Sequence, residues 1–387
     1  MHEDRSIKIL KDLISFDTTS YKSNLELIKY IEKYLDNYNI KSQLIYDATG
    51  KKANLYATIG SNKYEGIMLS GHTDVVPAIS NNWNSDPFNL TEKNNKLYGR
   101  GTADMKSFIA LVLSRVPKMI NSILSKSIHL AFSYDEEVGC VGVHRLIELL
   151  ENTTFRPSLC LVGEPTNMEV VIGHKGKCGH EVEITGLACH SGQAPLGVNA
   201  INYASRLISF ISDIANEKEK VGPFDYDYEI PYTTLHTGVI SGGTVVNIVP
   251  ELCNFEFEIR YLKEENPKDL IKKIKAYANE YLIPEMNKIS QNTGINFKEK
   301  VSYPGLSIDK NSEIVKFIKK LLDEDKHKKV IFGTEAGLFQ EKLKIPTVVC
   351  GPGSIDQAHK SNEYITYNQI RKGGNFIDSL ISSLVIK

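Results

Sequence analysis

Short apolar runs that stop at acidic residues or histidine leave this chain few folds to choose from. Runs at 53–59, 66–71, 127–134, 158–162 and 169–173 are rich in Val, Ile, Leu, Ala and Phe. They are too short for core helices and show no polar alternation, so they predict strands buried on both faces. Helical periodicity at 5–16, 24–38, 105–120 and 141–151 falls between them. The alternation argues for an α/β layer around a largely buried, mixed sheet.

At about residue 177 the pattern changes. Residues 178–185 alternate like a half-exposed strand and 198–216 read as a long amphipathic helix. Strands are expected at 233–240, 245–249 and 253–261, then a second helix over 267–291. This order predicts a two-layer α+β, ferredoxin-like unit. Helix–strand alternation returns after about 294, with segments at 312–323, 329–332, 346–350 and 368–384. The expectation is one α/β domain of residues 1–176 and 294–387, interrupted by a smaller domain of residues 177–293.

Composition excludes several classes. Lys plus Arg number 46 against 47 Asp plus Glu, a net charge of −1, which leaves no basic field for nucleic acid or an anionic membrane. No apolar run reaches the roughly 18 residues of a membrane span. The charged, amphipathic start MHEDRSIKILKDLISF does not read as a signal peptide, so a cytoplasmic protein is expected. Cysteines 140, 160, 178, 189, 253 and 350 form no C-x-x-C pair and read as small buried hydrophobes.

Five polar segments close strands or open helices: GHTD (71–74), GRGTADMK (99–106), SYDEEVG (133–139), LVGEPT (161–166) and GPGSIDQAHK (351–360). Each alone has an ordinary reading, a helix N-cap for Asp104 or a solvated turn for Glu136-Glu137. Together they gather where open α/β sheets bind ligands, beyond the carboxyl ends of the strands. That many carboxylates in one place would repel unless a cation joined them. Two histidines and three carboxylates, with no thiolate, suit zinc, and one carboxylate has two oxygens with which to bridge a pair of ions. Asp74, two residues beyond His72, can accept the second ring N–H of a metal-bound imidazole.

SGHTDVVP, YGRGTADMKS, DEEVGC, VGEPT, GVNA and SGGTVVNIVP together resemble the aminoacylase/carboxypeptidase-type family of di-zinc amidohydrolases, from about residue 5 to the C-terminus. The resemblance implies that His72 and Glu164 hold one Zn2+, that Glu137 and His359 hold the other, and that Asp104 bridges them. Co2+ is a possible substitute. It also implies that Glu136 is the general base, that Asp74 belongs with the catalytic residues, and that the Asp104–Met105 peptide is cis. His190, in ACHSGQAP, would supply an oxyanion donor, coming in this family from the partner subunit of a homodimer joined through the inserted lid.

Arg260 in FEIRY would pair with a substrate carboxylate, and Asn247, Gly243 and Thr244 would add polar and backbone contacts. FGTEAGLFQ and GPGSIDQAHK are narrower and carry the substrate expectation. That substrate is N2-acetyl-L-ornithine, split to ornithine and acetate in arginine biosynthesis, with Glu335 reading the side-chain ammonium or else capping a helix. Cleavage of succinyl-diaminopimelate, another N-acyl amino acid or a dipeptide is the alternative.

Overall fold

The computed structural model describes residues 2–60, 65–78, 82–153 and 157–386. The chain divides into two compact units. One is Met1–His174 with Leu306–Lys329 and Thr334–Lys387; the other is Lys175–Gly305 with Val330–Gly333. No helix among the described residues is long and apolar enough to cross a membrane.

Among the described residues, the first unit is built on a nine-stranded mixed sheet. Across it the strands are Ser42–Tyr46, Ala53–Ile59, Ile128–Ser133, Gly66–His72, Pro157–Val162, Thr347–Val349, Val170–His174 and Leu306–Ser307, with His327–Val330 also pairing Val170–His174. Gly66–His72 runs parallel to both its neighbours, and Thr347–Val349 runs parallel to Pro157–Val162. Gly66–His72 and Ile128–Ser133 are buried at every position, as expected of strands covered on both faces. Helices His2–Ser15, Leu25–Asp36, Lys106–Ser114 and Tyr367–Ser383 pack on the sheet. Leu10, Leu13, Leu27, Ile31, Leu111 and Leu380 meet sheet residues Leu55, Leu69 and Leu130 in one core. The helix expected over 105–120 is two, Lys106–Ser114 and Val116–Ile120, with Pro117 in the first turn of the second.

The second unit carries a four-stranded antiparallel sheet in the order Thr234–Gly242, Leu252–Tyr261, Gly176–Thr185, Gly294–Tyr303. Helices Ala200–Val221 and Pro267–Tyr277 cover one face. Cys253, Phe255, Phe257 and Ile259 point into that core at every second position. Asn199 and Asn266 cap the two helices through their side chains, and Gly222 ends the first at φ +76°.

Two expectations change here. Gly294–Tyr303 pairs with Gly176–Thr185, so this unit runs past residue 293 to Gly305. Residues 245–249 form no strand: they turn, and only Ile248 bridges, to His190. Val245, Val246 and Ile248 are exposed and only Val249 is buried, so most of this apolar run meets no core.

Candidate metal centre

The sheet register explains how distant segments meet. His72 lies opposite Ser133, and Ser70 opposite Val162. Three parallel strands therefore release His72, the Asp135–Glu137 turn and Glu164 at one edge. Thr347–Val349, in register with Cys160–Val162, delivers the 351–359 segment to the same edge. Close approach there requires glycine: a Cβ on Gly163 would sit 2.1 Å from the Phe108 ring, and one on Gly351 2.0 Å from the Gly163 carbonyl. Asp104 precedes the Lys106–Ser114 helix, and the Asp104–Met105 peptide is cis, as the family resemblance implied.

His72, Asp104, Glu137, Glu164 and His359 converge. His72 Nε2 lies 3.0 Å from Asp104 Oδ1 and 3.7 Å from Glu164 Oε1. His359 Nε2 lies 3.4 Å from Asp104 Oδ2 and 2.9 Å from Glu137 Oε2. Asp104 thus turns one oxygen to each imidazole. Both His72 with Asp104 and Glu137, and His72 with Glu136 and Glu164, have donor atoms close enough to share one ion.

The charges here are unbalanced without a cation. Burial, then repulsion from Asp104, pushes Glu137 up to about 7. Burial also pushes Glu164 up to about 8, with the His72 charge opposing and Asp104 adding to the rise. Hydrogen bonds to Asp104 and Glu137 hold His359 up at about 10. Burial would lower His72, yet Glu164, Asp104 and Asp74 together raise it. Protons on the two imidazoles therefore supply the positive charge that the carboxylates demand. Imidazole nitrogens and carboxylate oxygens facing one another, short of positive charge, fit divalent metal ions.

Asp74 acts differently from its expected role. The His72 Nδ1–H donates to the main-chain carbonyl of Asp74 at 2.9 Å, and the carboxylate stands off at 3.5 Å. That carboxylate instead accepts from the backbone N–H of Glu136 (3.1 Å) and Glu137 (3.3 Å) and from the Ser20 hydroxyl (2.8 Å). It ties the acidic turn to the end of the histidine strand. Burial raises Glu136 well above the usual carboxylate range, with Glu164, Glu137 and Glu335 adding to it against His72. The Cys140 thiol approaches its Oε1 at 3.5 Å.

Glu335 stands at the N-cap position of the short helix Ala336–Leu338. It is 1% exposed, its Oε1 has no hydrogen-bond partner, and it makes no capping bond. Burial pushes it up to about 7, the neighbouring Ser133 opposing. Its charge acts on Glu136, so it lies beside the metal centre.

Sequence reasoning missed Glu363. Its two buried oxygens accept from Arg100 Nη1 (2.7 Å) and from the N–H groups of Gly101 (3.0 Å), Ala103 (2.8 Å) and Asp104 (3.1 Å). This carboxylate folds the 100–104 loop that presents Asp104. No motif marks it, because a lone Glu in KSNEY looks like any surface acid.

The remaining expected residues belong to the second unit. His190 is exposed, and its Nδ1 accepts from the Gly192 N–H at 3.1 Å, which leaves the proton on Nε2. Asn247 and Thr244 are exposed, and Gly243 takes φ +74°. Arg260 is engaged: its Nε donates to Glu258 at 2.9 Å and its Nη1 to the Tyr303 hydroxyl at 3.1 Å.

The chain belongs to peptidase family M20/M25/M40, whose pattern matches residues 68–383. It is 32% identical over 372 residues to the acetylornithine deacetylase of Pasteurella multocida (strain Pm70), covering 95% of this chain and 93% of that one. It is 33% identical over 372 residues to the acetylornithine deacetylase of Proteus mirabilis (strain HI4320), covering 96% and 92%. The M20 family metallo-carboxypeptidase Sso-CP2 of Sulfolobus solfataricus shares the fold at a TM-score of 0.77 and 20% identity, over 98% of each chain.

Proposed function

We propose that this chain is a metal-dependent amidohydrolase that cleaves N2-acetyl-L-ornithine to L-ornithine and acetate. One observation carries the chemistry: Asp104 turns its two oxygens to two different histidines, His72 and His359. In this reading His72, Glu164 and Asp104 would hold one Zn2+, and Glu137, His359 and Asp104 would hold the other, with Co2+ as a substitute. Two such ions supply Lewis acidity toward the acetyl carbonyl and lower the pKa of the attacking water. The substrate assignment rests on two relatives at 32% and 33% identity that bear this activity's name over more than nine-tenths of their length.

The chain's own groups have distinct tasks. Glu136 takes the proton of the attacking water and returns it to the leaving amine. Its burial favours the protonated form, which helps it take the proton of the water in the first transfer. Asp74 holds the Glu136 and Glu137 backbone and so fixes which of the two faces the ions. We assign the second unit a ferredoxin-like lid and dimerisation role. His190 Nε2–H has the tautomer of an oxyanion donor. Arg260 would bind the substrate carboxylate by exchanging Glu258 for it, and Asn247, Gly243 and Thr244 would add polar and backbone contacts. Arginine biosynthesis in the cytoplasm is the setting this activity would serve.

The test is hydrolysis by the metal-reconstituted chain of N-acetyl-L-ornithine, N-succinyl-L,L-diaminopimelate and N-acetyl-L-methionine. Acetylornithine should be preferred, and Glu136→Gln should lose about 10²–10⁴ in turnover with its metal content intact. A preference for either competitor overturns the substrate assignment. Unchanged turnover in the variant overturns the assignment of Glu136.

A further inference from the structure

A second cluster of metal-ligating groups lies wholly within the second unit, on three strand positions. Cys178 and His180 are buried on the strand Gly176–Thr185, two residues apart and so on one face. Across the ladder, Gly294–Tyr303 sets Ser302 opposite Cys178 and Glu299 opposite His180. In regular pairing, residues 299 and 302 would point to opposite faces. A bulge between Glu299 and Val301 removes that conflict. The extra residue, Lys300, turns to the other face, where its Nζ lies 3.5 Å from Glu181 and 3.6 Å from Glu256. Glu299 and Ser302 are thereby both aimed at the Cys178–His180 face.

The distances suit a small cation. Cys178 Sγ lies 3.7 Å from His180 Nδ1, and one donor atom each from Cys178, His180 and Glu299 fall within 4.8 Å of one another. Bonds of about 2.3 Å to sulfur and 2.0 Å to nitrogen at a tetrahedral angle separate the two donors by about 3.5 Å. Glu299 is exposed, so the cluster opens to solvent on that side and leaves room for water as a fourth ligand. His180 is set in place by stacking on Phe257, with centroids 5.7 Å apart and planes 20° apart. Burial lowers that imidazole below its ordinary value and so favours the neutral, ligating form, with Glu299 opposing.

We propose that Cys178, His180 and Glu299 form a third metal site, separate from the dinuclear centre, that takes one zinc-like divalent cation. Sulfur in the set disfavours calcium and magnesium, which take oxygen ligands. Binding forms a metal–sulfur bond and releases the thiol proton to solvent. Burial and the Glu299 charge hold that thiol up to about 11, against the Ser302 hydroxyl, so a thiolate there needs a cation for company. Thiolate and carboxylate together neutralise a dication. The charge of Lys275 also acts on His180, and its ammonium sits over the Phe297 ring at 5.6 Å.

The site does not depend on the reading of the dinuclear centre, and the two can be tested apart. The full chain, stripped by chelation, would be titrated with Co2+ while the near-ultraviolet sulfur-to-cobalt charge-transfer band is followed. The dinuclear donors are nitrogen and oxygen only and give no such band. The band should level off at the intensity of one cobalt-bound thiolate per chain, within the three equivalents that all the sites together can take up, disappear in Cys178→Ser and persist in Cys140→Ser, which removes the thiol beside Glu136. Loss of an outer partner of a ligand costs 10–100-fold in affinity, so loss of a ligand in Glu299→Gln should weaken Co2+ at this band by at least about tenfold. Should Cys178→Ser not fold, Glu299→Gln decides alone, since that side chain is exposed. Absence of the band, its survival in Cys178→Ser, or unchanged affinity in Glu299→Gln would leave Cys178 and His180 as a plain S–H···N pair and end the proposal.

Discussion

Replacing Glu363 by Gln tests whether one buried carboxylate sets the geometry of the metal centre. Each of its oxygens serves two donors: Oε2 takes Arg100 Nη1 and the Gly101 N–H, and Oε1 takes the N–H groups of Ala103 and Asp104. Glutamine keeps only one accepting oxygen. Whichever way its amide turns, an NH2 group then faces two donors. Arg100, 3% exposed, also keeps its charge and loses its counter-ion. Removing one partner of a buried ion pair costs about 3–5 kcal/mol. The local response should be a shift of the 100–104 loop and of Asp104 with it, which is expected to cost about 10–100-fold in metal affinity. Chemical denaturation of the metal-free chain reads the first quantity, and calorimetric titration with Zn2+ reads the second. Destabilisation below about 1 kcal/mol with native metal affinity would show that the loop holds its shape without Glu363, and the reasoning would fail.

Asp74→Asn leaves the His72 Nδ1 contact in place, since that bond goes to the main-chain carbonyl, but halves the accepting capacity that holds Glu136 and Glu137. Metal affinity should drop by about tenfold or more while the His72 tautomer, read by nitrogen NMR, stays as it is; a changed tautomer would point to the carboxylate instead. His129 is buried against the Tyr56 hydroxyl at 2.7 Å, and burial lowers it from 6.5 to about 4. The unfolded chain then binds more protons between those values, so folding stability should fall as pH drops from 6.5 toward about 4, by up to about 3 kcal/mol. An imidazole resonance titrating near 6.5 would refute this, and His129→Phe should flatten the pH dependence.

Much of this centre was legible because its chemistry sits at the ends of unmistakable strands. Continuous apolar runs place His72 and Glu164 at one sheet edge before any coordinate is known, and register does the rest. The limits are physical as well. Residues 294–303 (GINFKEKVSY) mix charge with β-formers, and only pairing to Gly176–Thr185 reveals a strand. The run VVNIV at 245–249 looks like a buried strand, yet an apolar pattern does not say whether a core is there to receive it. Nothing in the sequence marks how deep Glu335 lies, and only packing shows it enclosed. Glu363 works through main-chain N–H groups, which every residue has, so its partners leave no trace in the sequence.

The position of Thr347–Val349 has a consequence for how the protein comes into being. It lies between Pro157–Val162 and Val170–His174, strands that a ribosome would finish long before it. Until those three residues and His359 emerge, the nascent sheet has a slot in its middle and the acidic edge has one imidazole too few. A chain stalled before residue 347 would expose two unpaired strand edges and uncompensated carboxylates, a state suited to capture by a chaperone. Contacts of such long sequence separation slow folding. Metal capture that uses His359 would then have to wait until that residue has emerged.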